Sequence, residues 1–124
     1  MRLHKEYSAE RVITPVTMAV HRPVGGGVWV NASAFDPPMP KKEGTRGWPV
    51  WILEHQGREL RFASTFEMAH VAQILGRRIL PRSWQVSTAE HGYHNQHWLS
   101  RLDKAWTPWP VRQAVVDCLR AATG

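Results

Sequence analysis

The segment Glu90-His91-Gly92-Tyr93-His94-Asn95-Gln96-His97 holds the densest set of protonatable and metal-binding side chains in the chain. Neutral imidazole ligates zinc and nickel, and a histidine titrating near neutral pH can carry protons. His91, His94 and His97 stand three apart. In a continuous helix, the 3.6-residue period would turn His91 and His97 too far apart around the axis for all three to share one ion. His94 and His97 could share one with a third ligand such as His55, His70 or Glu90, while Gly92 places His91 in the preceding loop. Zinc sites show tighter cysteine or histidine pairings than this. The expectation is therefore surface or capping histidines and no cofactor, with a metal at His91, His94 and His97 as the alternative.

A second constellation is basic. Lys41, Lys42 and Arg46 lie in a proline-rich stretch that ends at Trp48, and Arg77, Arg78 and Arg82 cluster at the end of an expected helix. Cations at a helix C-terminus meet its partial negative charge, which is a structural reason for the second group. If the fold brings the two groups together, they can grip a phosphate backbone while Trp48 stacks on a base. The whole chain leans the same way, with a net charge of +6 from 16 Lys and Arg against 10 Asp and Glu. Positive potential attracts polyanions and releases their counterions, although here the charge is spread along the sequence. Seven tryptophans can serve a core, an interface or base stacking.

The usual grounds for an enzyme are missing: no Gly-x-Ser-x-Gly elbow, no Gly-x-x-x-x-Gly-Lys phosphate loop and no paired CxxC pattern. Gly25-Gly26-Gly27 precedes an apolar run that reads as a strand and no Lys-Ser or Lys-Thr pair follows, so a hairpin turn is expected there. Cys118 falls in an apolar helical stripe with no cation to lower its pKa, which makes it a packed thiol. One cysteine allows no internal disulfide, no apolar core follows the basic start, and no apolar run approaches the ~18 residues that span a bilayer. A protein of the reducing cytoplasm with no membrane partner is expected.

The clearest local structure that could position these groups lies at 47–78. Two apolar-rich runs, 50–55 and 58–63, flank Gln56-Gly57 and predict a hairpin. Ser64 and Glu67 then form a capping-box pair, serine accepting a first-turn amide and glutamate reaching back to the cap amide. Met68, Val71, Ala72, Leu75 and Ile79 make the apolar stripe of the helix that follows. Alternation over 12–20 predicts a strand, at an edge or bulged because Pro15 has no amide hydrogen. Residues 1–11 show little periodicity and read as a loose arm or one short helical turn; 36–49 read as an exposed, proline-rich basic loop. Helices are expected over 95–106, from Trp98, Leu99, Leu102, Ala105 and Trp106, and from 107–110 to about 122, with Arg112, Gln113, Asp117 and Arg120 on the polar side.

With 124 residues the chain is expected to form a single α+β domain over 1–124, an antiparallel sheet of about four strands with about three helices packed on one face. Trp29 and Trp51 are expected on the face the helices leave uncovered, where they would favour a dimer or protein partner. The function read from these features is that of a small basic, non-enzymatic binding domain associated with nucleic acid. The alternatives are a protein-interaction or homodimeric accessory domain and, third, a small histidine- or metal-dependent enzyme.

Overall fold

The computed structural model describes residues 1–29, 32–82 and 98–123. Glu90, His91, His94 and His97, and the extended piece expected at 85–88, lie outside the described residues. Along the chain come strand β1 (Arg2–Ser8), a single helical turn α1 (Thr17–Val20), β2 (Arg22–Pro23), β3 (Phe35–Asp36), β4 (Trp48–His55), β5 (Arg58–Phe62), helix α2 (Thr65–Leu75), two 3-10 turns (Trp98–Arg101 and Lys104–Trp106) and helix α3 (Trp109–Thr123). The architecture is α+β. One antiparallel sheet has the order β1-β4-β5, and a separate two-stranded ladder joins β2 to β3.

The hairpin forms as the sequence predicts. Gln56 and Gly57 both adopt positive φ, 51° and 78°, which is the backbone of the two-residue turn whose twist matches its flanking strands. The register pairs Leu53 with Leu60 and Trp51 with Phe62, and on the other side Leu3 with Leu53 and Lys5 with Trp51. These residues share one face of the sheet, since alternate side chains point the same way. Leu53, Phe62, Met68, Leu75, Val115 and Leu119 meet there, each at most 1% exposed, so α2 and α3 both cover that face.

Several expectations need correction. Residues 2–8 are the edge strand β1, not a loose arm, because Leu3 packs against the core and every residue from Arg2 to Ser8 has a partner on β4. The segment 12–20 is no strand. Its threonines bind local backbone instead: Thr14 N donates to Thr17 Oγ1 at 2.8 Å and Val16 N to Thr14 Oγ1 at 3.2 Å, turns that compete with a ladder. Trp29 likewise lies outside any strand. The helix expected over 95–106 is replaced, in its described part, by the two 3-10 turns. Asp103 breaks it with an extended backbone (ψ 134°) and caps the second turn, accepting from Ala105 N at 2.8 Å. The apolar stripe survives the change: Trp98, Leu99 and Trp106 are all buried.

Trp51 shares the helix-covered face, contrary to expectation, and it is half-buried against the core. The opposite face of the sheet is not bare either. Val50 and Ile52 are 5% and 2% exposed there, and segment 11–15 runs alongside Val50 and Arg61.

Candidate nucleic-acid interface

At the Ser8 end of β1, the loop that precedes β4 folds back on itself. Glu43 N donates to Gly47 O at 2.8 Å and Arg46 N to Glu43 O at 3.0 Å, closing a tight turn. Gly47 has φ 106°, and a Cβ there would collide with the Ser8 carbonyl oxygen, so only glycine lets the turn lie against β1. Cations are thereby delivered onto aromatic rings. Lys42 Nζ lies 5.3 Å from the Trp48 ring centre, and the Arg46 guanidinium 5.9 Å from that of Tyr7. Lys5 adds a third, 5.2 Å from Tyr7 and 5.1 Å from Trp51.

A cation resting on a ring face keeps its full charge, whereas one in a salt bridge is largely neutralised. Lys42 is of the first kind, and Arg46 rests on a ring while its charge also acts on Glu43. Lys5 is partly of the second, because Glu43 Oε1 lies 3.4 Å from its Nζ. The Glu43 carboxyl is held below the usual carboxylate range, first by a hydrogen bond from Tyr7 and then by the charge of Lys5. This end of the sheet thus carries Lys5 and Arg46 on Tyr7 and Trp51 on one face and, by the alternation along β4, Lys42 on Trp48 towards the other, with exposed Lys41 in the adjoining loop and the carboxylate of Glu43 beside Lys5.

Of the other expected cations, Arg78 lies over Trp109 and is joined there by Arg112. Arg78 and Arg112 place their guanidinium groups 5.0 Å and 4.9 Å from its ring centre. Arg112, expected on the polar side of α3, is only 6% exposed. It closes the end of α2: its Nη1 donates to Arg77 O at 2.6 Å and Leu75 O at 3.3 Å, Nη2 to Arg78 O at 3.4 Å, and Nε to Thr107 O at 2.7 Å. Four carbonyls on one guanidinium explain why a charge is tolerated at this depth. Burial, and after it the charge of Arg78, lower its pKa. Arg77, Arg78 and Arg82 are exposed. Lys42 and Arg46 are thus held by Trp48 and Tyr7, while Arg78 is held by Trp109. Sequence reasoning missed Lys5, Tyr7, Trp109 and Arg112; the alternation of Leu3, Lys5 and Tyr7 with Arg2, His4 and Glu6 was the signal available for the first two.

A polar cluster lies at the opposite extreme of exposure. Ser64 caps α2 as expected, its Oγ accepting from Glu67 N at 3.2 Å. Glu67 does not return to the cap amide; its Oε1 accepts from Ala63 N at 3.1 Å and from Thr14 Oγ1 at 2.7 Å. Its Oε2 accepts from Thr17 Oγ1 at 3.2 Å and lies 3.2 Å from His21 Nε2. The imidazole is also 2.9 Å from Ser64 Oγ, and its Nδ1 donates to Pro37 O at 2.8 Å. Burial alone would lower the pKa of His21. The hydrogen bond and charge of Glu67, together with the Pro37 carbonyl, outweigh burial and the repulsion of Arg11, so the net shift is upward.

Serine, histidine and glutamate in contact invite a catalytic reading, but the geometry does not fit one. In a catalytic triad the acid orients one ring nitrogen and the nucleophile uses the other. Here serine and glutamate crowd the same nitrogen, and His21, Thr17 and Glu67 are all 0% exposed. The cluster is a brace that ties segment 14–21 and the chain at Pro37 to the start of α2.

Of the histidines considered as further metal ligands, His70 accepts from Trp98 Nε1 at 3.0 Å, and His55 lies with its ring centre 6.0 Å from that of Trp106. Among the described residues no group of three His, Cys, Asp or Glu side chains is placed to hold a metal, and no helix is long and apolar enough to cross a membrane. Trp29, considered for an exposed interface, donates Nε1 to His21 O at 2.9 Å and packs on Phe35 at 5.0 Å between ring centres. Comparison with protein-family models, with curated proteins and with solved structures gives no match.

Proposed function

We propose that this protein binds nucleic acid at the Ser8 end of its sheet, where a strand passing around the edge would meet Lys5, Tyr7, Arg46 and Trp51 on one face and Lys42 and Trp48, with Lys41, on the other. The observation that carries the reading is the seating of Lys42 and Arg46 over aromatic rings that are themselves partly open. Phosphates are met by cations that retain their charge, and the adjacent rings offer π-faces to unpaired bases. The net charge of +6 adds a long-range attraction. The arrangement needs no catalytic group, and it favours single strands, whose bases are free to stack.

The test is a titration with an oligothymidylate and with a duplex of the same length, followed by tryptophan fluorescence at low and physiological salt. Quenching by the single strand is expected, with log K falling by about 0.7 for each phosphate contacted per decade of salt. Trp48→Ala is expected to weaken binding by about 1–3 kcal/mol, the worth of one stacked base. Lys42→Ala and Arg46→Ala each lower the salt slope. Absence of binding at low salt, or binding untouched by all three substitutions, overturns the proposal.

A further inference from the structure

We infer that the cavity between β5 and the two 3-10 turns is a binding site for a small carboxylate with an aromatic or branched aliphatic body. The cavity is a half-open cleft of about 390 Å³, within the size range of small-molecule sites. Its walls are Leu60, Phe62, Val71, Trp98, Leu102 and Trp106. Four of these are held rigidly in the core, with Phe62, Val71, Trp98 and Trp106 between 1% and 4% exposed. The Trp98 indole N–H is already engaged by His70, so the wall it contributes is apolar. The interior therefore selects an apolar body, and its three aromatic rings favour a flat one.

The rim supplies the polarity of the head group. Glu59 and Arg61 line it and pair with one another at 3.1 Å; Asp103 lines it and is held by Arg58 at 3.2 Å. Arg101 also lines the cavity and has no ion-pair partner among the described residues. Two guanidinium groups, those of Arg61 and Arg101, thus line the cavity with two carboxylates; Glu59 is paired within the lining and Asp103 is paired from outside it by Arg58, which leaves the charge of Arg101 for a ligand. A planar guanidinium accepts a carboxylate in a two-pronged hydrogen bond, and an apolar acid fits the wall and the rim at once. The site shares no residue with the proposed nucleic-acid surface.

The test titrates 2-naphthoate into isotopically labelled protein and follows amide and indole signals by NMR. Submillimolar binding is expected, with the shifts concentrated at Leu60, Val71, Leu102 and the indoles of Trp98 and Trp106. The neutral analogue 2-naphthamide should bind the native protein about tenfold or more weakly, as should 2-naphthoate the exposed-site variant Arg101→Gln. Leu102→Trp, which fills the cavity from its rim, should abolish the shifts. The inference is overturned if naphthoate causes no shifts at millimolar concentration, if the shifts lie elsewhere, or if the amide and Arg101→Gln leave affinity unchanged.

Discussion

Glu67 accepts hydrogen bonds from a backbone amide and two threonine hydroxyls and faces a raised-pKa histidine, all without contact with water. Removing one partner of a buried pair leaves the other uncompensated, so Glu67→Ala is expected to cost about 3–5 kcal/mol, read from the urea midpoint. The pH dependence has a definite sign. With its folded pKa above the ordinary 6.5, His21 binds a proton more tightly in the native state, and its contribution is complete below that value. It is lost as pH rises through the folded pKa. Stability in urea should therefore decline with increasing pH above 6.5, and His21→Gln should remove that part of the decline. An unchanged slope in the variant would show that other groups carry it. The spacing of Ser64 and Glu67 announced the cap correctly. The partners of Glu67 were illegible, because Thr14 and Thr17 alternate with apolar residues just as a strand would, and only the folded chain shows their hydroxyls turned to local amides.

Among the elements, β1 depends on a contact with no side chain in it. Gly47 lies against Ser8 in a backbone conformation that other residues avoid, so Gly47→Ala should lose about 1–3 kcal/mol from strain alone. The added methyl must also push the loop from the strand. Faster amide exchange across Arg2–Ser8, with the β4–β5 hairpin protected as before, is the expected signature; uniform loss of protection would mean that β1 does not open separately. The hairpin and the two long helices were legible because turn chemistry, capping and apolar period coincide in them. β1 was hidden by composition: six of its seven residues are polar or aromatic, and only the pairing with β4 reveals Leu3 as a core residue. The 3-10 turns were hidden for a different reason, since their apolar spacing suits a helix and the interruption rests on the backbone of one residue, Asp103.

For the molecule as a whole, net charge and local geometry make separable predictions about nucleic acid. If overall charge alone drew the ligand, Arg77→Ala and Arg78→Ala would flatten the salt dependence as much as Lys42→Ala and Arg46→Ala do. The proposed surface requires the second pair to dominate, which parallel salt titrations of the four variants will measure. The sequence showed the cations at 41–46 and 77–82 but not which of them share a surface, since this depends on where β1 and α3 bring Tyr7 and Trp109. The buried brace has a consequence on the same scale. Between β1 and β4 the described chain has little regular structure, and its polar ties to the start of α2 converge on Glu67 and Ser64, beside the apolar anchor of Val16. That stretch is a clasped strap rather than a folded layer: its polar fastenings are gathered at one buried point instead of being spread along a ladder.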